Sequence, residues 1–139
     1  MGVYIKRYGD YVIIGSQVPQ EGYEWYDGEI PQIIPELQYL KWENNEVVIG
    51  HIYNEDELKR MAHEININEY IIFCKENDND IMKYEKRHKL GIDTEEDYND
   101  YINALEIYKQ KTLEYKEMKE RITNMTTEEL EKWINDNNK

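Results

Sequence analysis

The sequence holds one cysteine, three prolines, one phenylalanine and seven glycines, and six of those glycines precede residue 51. The lone Cys74 excludes a disulfide within the chain and by itself says nothing about redox compartment. No apolar run exceeds Tyr70-Ile71-Ile72-Phe73-Cys74, far short of the ~20 residues that span a bilayer, and Met1–Arg7 offers no signal-peptide apolar core. Basic side chains are also scarce: 17 Lys and Arg stand against 30 Asp and Glu, a net charge of −13. A negative field of that size repels phosphate backbones and anionic lipid, so neither direct nucleic-acid binding nor a membrane partner is expected.

Motifs that carry chemistry are missing as well. The glycines are too sparse for a phosphate-cradling loop, and the only serine, Ser16, precedes Gln17 outside any nucleophile elbow. His51, His63 and His88 have no metal-ligand spacing. Asp78-x-Asp80 opens like an EF-hand loop, but Lys83 and Lys89 occupy the positions where such a loop needs Gly and Glu. Cys74 is a nucleophile only if a histidine approaches it in space; the simpler reading is a small buried hydrophobe. Paired carboxylates are so common in this chain that adjacency says nothing about acid–base catalysis. A non-enzymatic protein without cofactor or metal is expected.

What is present divides near residue 53. All three prolines lie in front of it, and behind Gly50 the only glycine is Gly91. This asymmetry predicts an α+β protein: a small antiparallel β-rich head over residues 1–52 and a helical region over 53–139. Both parts are acidic, the head by 5 charges and the helical region by 8.

In the head, Val3–Arg7 and Tyr11–Ile14 flank Tyr8-Gly9-Asp10, and Tyr39–Glu43 and Glu46–Ile49 flank Asn44-Asn45. Both patterns predict hairpins, the second through the positive φ that Asn tolerates. With Tyr23–Tyr26 they make a sheet of four or five short strands. Its aromatics are Tyr4, Tyr8, Tyr11, Tyr23, Trp25, Tyr26, Tyr39 and Trp42. About half must serve the sheet's own packing; Tyr23, Trp25, Tyr26 and Trp42 are taken as the candidate partner-binding set, since Tyr and Trp dominate interface hot spots.

In the helical region, Asn54 and Glu57 have capping-box spacing, with Leu58, Met61, Ala62 and Ile65 following at helical intervals. Helix is favoured through 66–74 despite its β-like alternation. A break is expected at Glu76–Asp80, then a second helix to Leu90, stopped by Gly91. Thr94 and Asp97 cap a long amphipathic helix over about 94–124, and Thr126 and Glu129 cap a short terminal one carrying Leu130, Trp133 and Ile134. Three- and four-residue steps place Tyr98, Tyr101, Leu105, Tyr108, Thr112, Tyr115, Lys119 and Ile122 on one coiled-coil-like seam, suited to pairing with another helix or a second copy. The run Asp93–Glu106 holds Asp93, Glu95, Glu96, Asp97, Asp100 and Glu106 with no basic residue. It is either a helix N-terminus with dipole-favoured acids or an acidic face that imitates a phosphate backbone.

The order of motifs along the chain resembles small proteins of tailed bacteriophages. Tyr11–Gly15 followed by Gly22–Pro31, then Tyr39–Val48, is similar to the β-rich head of those proteins. Ile67-Asn68-Glu69 and Asn77–Glu85 are similar to their helix pair, and Gly91–Tyr98 resembles the start of the following helix in tail-fibre assembly proteins. Asn79 and Asp80 stand where the pattern has Asp-Tyr, and Tyr70 where it has Leu. The resemblance implies a tail, baseplate or tail-fibre role, as virion part or assembly chaperone, with a phage tail subunit as partner and no catalytic residues. It places the protein in the virion or in the infected host's cytoplasm. The leading expectation is a phage tail-associated structural or assembly protein working by protein–protein contact. The alternative is an acidic inhibitor that blocks a host nucleic-acid-binding protein. An enzyme built around Cys74 ranks third.

Overall fold

The structure, a computed structural model, describes residues 2–138. Met1 and Lys139, the outer ends of the two expected regions, lie outside the described residues. The chain forms two compact units that meet between Asn54 and Glu55, two residues past the expected boundary of 52. The first is a five-stranded antiparallel sheet and the second a set of three helices, so the fold is α+β.

The sheet comprises β1 (Val3–Tyr8), β2 (Tyr11–Ile14), β3 (Glu24–Tyr26), β4 (Gln38–Glu43) and β5 (Glu46–His51), in the order β3-β1-β2-β4-β5. Both hairpins form where the turn residues predict them. Tyr8 pairs with Tyr11 across Gly9-Asp10, and Glu43 pairs with Glu46 across Asn44-Asn45. Asn44 and Asn45 have φ of 53° and 63°, the left-handed pair that suits the right-handed twist of the flanking strands. Ile5, Val12 and Val47 are the buried centre, with Val3, Tyr26, Ile30, Leu40 and Trp42 packed around them. Burying each such side chain contributes about 1.5–3 kcal/mol. The sheet coils until its edges meet: the Tyr26 hydroxyl on β3 accepts from the Val47 amide on β5 at 3.1 Å.

The helical unit contains α1 (Glu55–Lys89), α2 (Glu95–Thr123) and α3 (Thr127–Asn137). The predicted capping boxes are present at Thr94–Asp97 and Thr126–Glu129. Gly91 at φ +71° ends α1, with Ile92 N–H donating to Arg87 O and Gly91 N–H to His88 O, a Schellman arrangement. The break expected at Glu76–Asp80 is absent: α1 runs through it as one helix of 35 residues, roughly 52 Å long. Asn and Asp disfavour helix interiors because their side chains compete for local backbone groups. Here the Asn77 amide is committed to α2 instead, donating to Ala104 O at 3.3 Å, while Asp78 and Asp80 are exposed.

The five apolar residues buried in this unit, Leu58, Ala62, Ile122, Leu130 and Ile134, belong to the start of α1, the end of α2 and α3. Farther along, α1 and α2 are joined by polar and aromatic contacts. Asn66 Nδ2 donates to Tyr115 O at 3.3 Å, and Tyr70 and Thr112 hydroxyls meet at 2.7 Å. The Thr112 hydroxyl donates to Tyr108 O, which leaves the Tyr70 proton for the Tyr70–Thr112 bond. Tyr70 stacks on Tyr115 at 4.6 Å and Tyr84 on Tyr101 at 4.4 Å. Arg87 pairs with Asp97 at 2.9 Å.

Exchanging Asn45 for Gly should stabilise the β4–β5 hairpin and exchanging it for Val should destabilise it, each by about 1 kcal/mol, because only the latter puts a branched side chain at positive φ. Urea titration followed by circular dichroism tests this, and equal midpoints for Gly and Val would contradict the turn assignment.

Candidate functional site

Strand pairing sorts the aromatics of the sheet onto two faces. Residues directly opposite one another share a face, and alternate residues switch. The pairs Val3–Tyr26, Arg7–Val12 and Trp42–Val47 therefore put Tyr26 and Trp42 on the face that holds Ile5, Val12 and Val47. Their rings meet edge-to-face at 5.8 Å, and Arg7 lies over Trp42 at 4.6 Å while pairing with Glu24. Half of the expected partner-binding set is thus core packing. Tyr26 and Trp42 are half-buried, set inward by a register that their neighbours alone do not reveal.

The other face carries Tyr4, Tyr8, Tyr11, Trp25 and Tyr39, with Tyr23 alongside. Tyr4 meets Trp25 edge-to-face at 5.1 Å, and Tyr11 stacks on Tyr39 at 6.0 Å. Three glycines on this face lie under rings: an added Cβ would strike Trp25 at Gly2, Tyr23 at Gly15 and Tyr39 at Gly50. These rings lie flat along the sheet because no side chain props them away. Lys6 sits between Tyr8 and Tyr23, its Nζ 5.1 Å and 5.9 Å from the two centroids, and the Tyr8 hydroxyl raises the lysine pKa. Tyr8, Tyr11 and Trp25 remain about half exposed, at 52%, 47% and 49%. So Tyr23 and Trp25 of the expected set do lie on an open aromatic face. Tyr4, Tyr8, Tyr11 and Tyr39 complete it, and applying strand alternation to the two hairpins would have found them.

On α2 the expected seam residues Tyr101, Tyr108, Thr112, Tyr115 and Ile122 are buried or half-buried, while Tyr98, Leu105 and Lys119 are exposed, Tyr98 with its ring 6.2 Å from that of Tyr84 on α1. Asp97, Ala104 and Met118 are half-buried beside them instead. The small Ala104 also lets Asn77 reach a backbone carbonyl. The partner of this seam is α1 of the same chain.

The acidic run is also divided. Asp93 accepts from the Tyr84 hydroxyl at 3.4 Å and faces His88 Nδ1 at 3.2 Å. Asp97 closes the capping box and pairs with Arg87. Glu95, Glu96, Asp100 and Glu106 are exposed. The last turn of α1 is basic, with Lys86, Arg87, His88 and Lys89, and the first turn of α2 is acidic, so the run answers a charge inside the hairpin.

The Cys74 thiol donates to the Tyr108 hydroxyl at 3.7 Å. Hydrogen bonds with Cys74 and Tyr70 push the Tyr108 pKa well above the usual phenol range. Among the described residues no group of three or more His, Cys, Asp or Glu is placed to hold a metal ion. No helix among them is long and apolar enough to cross a membrane.

The Thr94 backbone amide, joined by the Arg87 charge, holds the Asp97 carboxyl below its ordinary value of 3.8. A lowered folded pKa stabilises the fold above the ordinary value and ceases to do so as pH falls through the folded one. Asp97→Asn should therefore lower the melting temperature near pH 7, and the gap to the parent should close as pH falls below the ordinary carboxyl value of 3.8 and through the lowered folded one. A gap of equal size at neutral and at acid pH would refute this role.

Comparison with known protein families, curated proteins and solved structures finds no match to this chain.

Proposed function

We propose that this protein is a non-enzymatic structural or assembly component of a bacteriophage tail, working through protein–protein contact, with the outer face of the sheet as its docking surface. The observation that carries the reading is the division of the aromatic residues. One set fills the core, and a second set of six lies on the opposite face, three of them over glycines. A sheet of this size does not need the second set for its own packing, and open Tyr and Trp clusters match the composition of interface hot spots. The partner class, a tail, baseplate or fibre subunit, follows from the order of motifs resembling tailed-phage proteins. The alternative of a phosphate-mimicking inhibitor loses support, because Asp93 and Asp97 are engaged by α1.

Capture from phage-infected cells tests the reading. The parent chain should retain a tail subunit at both low and about 0.5 M NaCl, since aromatic docking is little screened by salt. Tyr11→Ala and Trp25→Ala should each weaken that contact by about 2 kcal/mol, roughly 30-fold, while Tyr26→Phe, confined to the core, should not. A retained host nucleic-acid-binding protein that is lost at high salt would overturn the proposal.

A further inference from the structure

The α1–α2 hairpin carries along one side exposed apolar residues, Ile67, Ile71, Met82, Ile102, Leu105 and Leu113, that its own packing leaves open. Two cavities orient its flanks. Glu69, Phe73, Lys111 and Glu114 line one together with Trp133 and Asn137 of α3, which marks the α3 side. Arg60, His63, Glu64 and Ile67 line another with Tyr115 and Lys119, which marks the opposite side. Three- and four-residue steps from Ile67 lead through Ile71, Cys74 and Asp78 to Met82 and Glu85; on α2 the same side follows Tyr98, Ile102, Leu105, Lys109, Leu113 and Lys116. Ile67, Ile71 and Met82 are 41%, 41% and 53% exposed, and Ile102, Leu105 and Leu113 are 40%, 37% and 47% exposed.

Charge along this side is polarised. At the end beside the start of α1 stand Arg60, Lys116 and Lys119, balanced by Asp56, Glu64 and Glu120. His63 is there too, its pKa lowered by burial and then by the nearby Lys119 and Lys59, a sign of local positive charge within a chain of net −13. At the end beside Gly91 stand Asp78, Glu85 and Glu95, against Lys89.

We propose that this side of the hairpin binds a second copy of the same chain, with the two hairpins face to face and running in opposite directions as a four-helix bundle. An isologous contact must complement itself. Opposed directions lay the acidic end of one copy on the charge-balanced end of the other, with Arg60 opposite Glu85 and Asp56 opposite Lys89, whereas a like-directed overlay sets the two acidic ends against each other. In the opposed arrangement α1 faces the second copy's α1, and Arg60 approaches Glu85. The stretch from residue 60 to 85 is roughly 37 Å long and two helices, about 20 Å, wide. That buries about 700 Å² per copy, within the class of stable specific interfaces. Repulsion between the remaining net charges is screened beyond about 8 Å at physiological salt.

The test is the mass of the full chain in solution by light scattering and sedimentation. A dimer at micromolar concentration is expected, and a parent that stays monomeric at hundreds of micromolar overturns the proposal. Ile71→Glu with Leu105→Glu should give a monomer of unchanged helicity; a dimer that persists in this variant also overturns it. Because that variant changes two positions in the hairpin, a second pair tests the arrangement without touching the apolar row. Arg60→Glu and Glu85→Arg should each raise the dimer dissociation constant about tenfold, and their combination should restore it. Additive weakening in the combination rejects the opposed direction.

Discussion

The helical unit depends on how α1 and α2 hold each other beyond their buried end. From Asn66 to Arg87 the seam contains no buried aliphatic residue. It is made of amide-to-carbonyl bonds at Asn66 and Asn77, a hydroxyl pair at Tyr70 and Thr112, stacked tyrosines and one ion pair. Each such hydrogen bond contributes only about 0.5–1.5 kcal/mol net, yet leaving a partner unmatched costs more. The contacts are therefore better at fixing register and direction than at adding stability. Asn66 donates to the carbonyl of Tyr115, and Asn77 to that of Ala104. A leucine seam would tolerate sliding by a heptad, and this one does not.

Filling the seam with Tyr, Asn and Thr has a second effect: it leaves Ile67, Ile71, Ile72, Ile102, Leu105, Ile107 and Leu113 exposed on the flanks. The sheet divides its residues by a related logic. Val12, Ile5 and Val47 supply a small core, Tyr26 and Trp42 extend it, and the Tyr26 hydroxyl caps an edge-strand amide that would otherwise be open. The remaining aromatics occupy the opposite face. In both units the side chains most suited to contact with another molecule are the ones that internal packing has not taken up.

Much of this was legible in the residues. The hairpin turns follow from Gly9 and from Asn44-Asn45, and the two capping boxes follow from Thr94–Asp97 and Thr126–Glu129, because these are local bonds between residues close in the chain. The failures concern what the chain meets at a distance. Asn77 looks like a helix breaker until Ala104 lies opposite it. Leu105 looks like a seam residue until α1 meets Ala104 beside it. Tyr26 and Trp42 look like exposed interface residues until the pairing with Val3 and Val47 turns them inward. Register between strands was the missing quantity for the candidate site, and it could have been deduced from the two short turns.

Charge shows the same distinction between local and distant causes. The acids of Asp93–Glu106 look, along the chain, like a face offered to a cationic partner. In the fold, the basic last turn of α1 lies in sequence just before them, and Gly91 reverses the chain so that Arg87 reaches Asp97. Opposite charges at a helix C-terminus and the next helix's N-terminus each favour their own dipole as well as one another. The acidic run is thereby explained by the turn that precedes it. The net charge of −13 then belongs to the molecule as a whole.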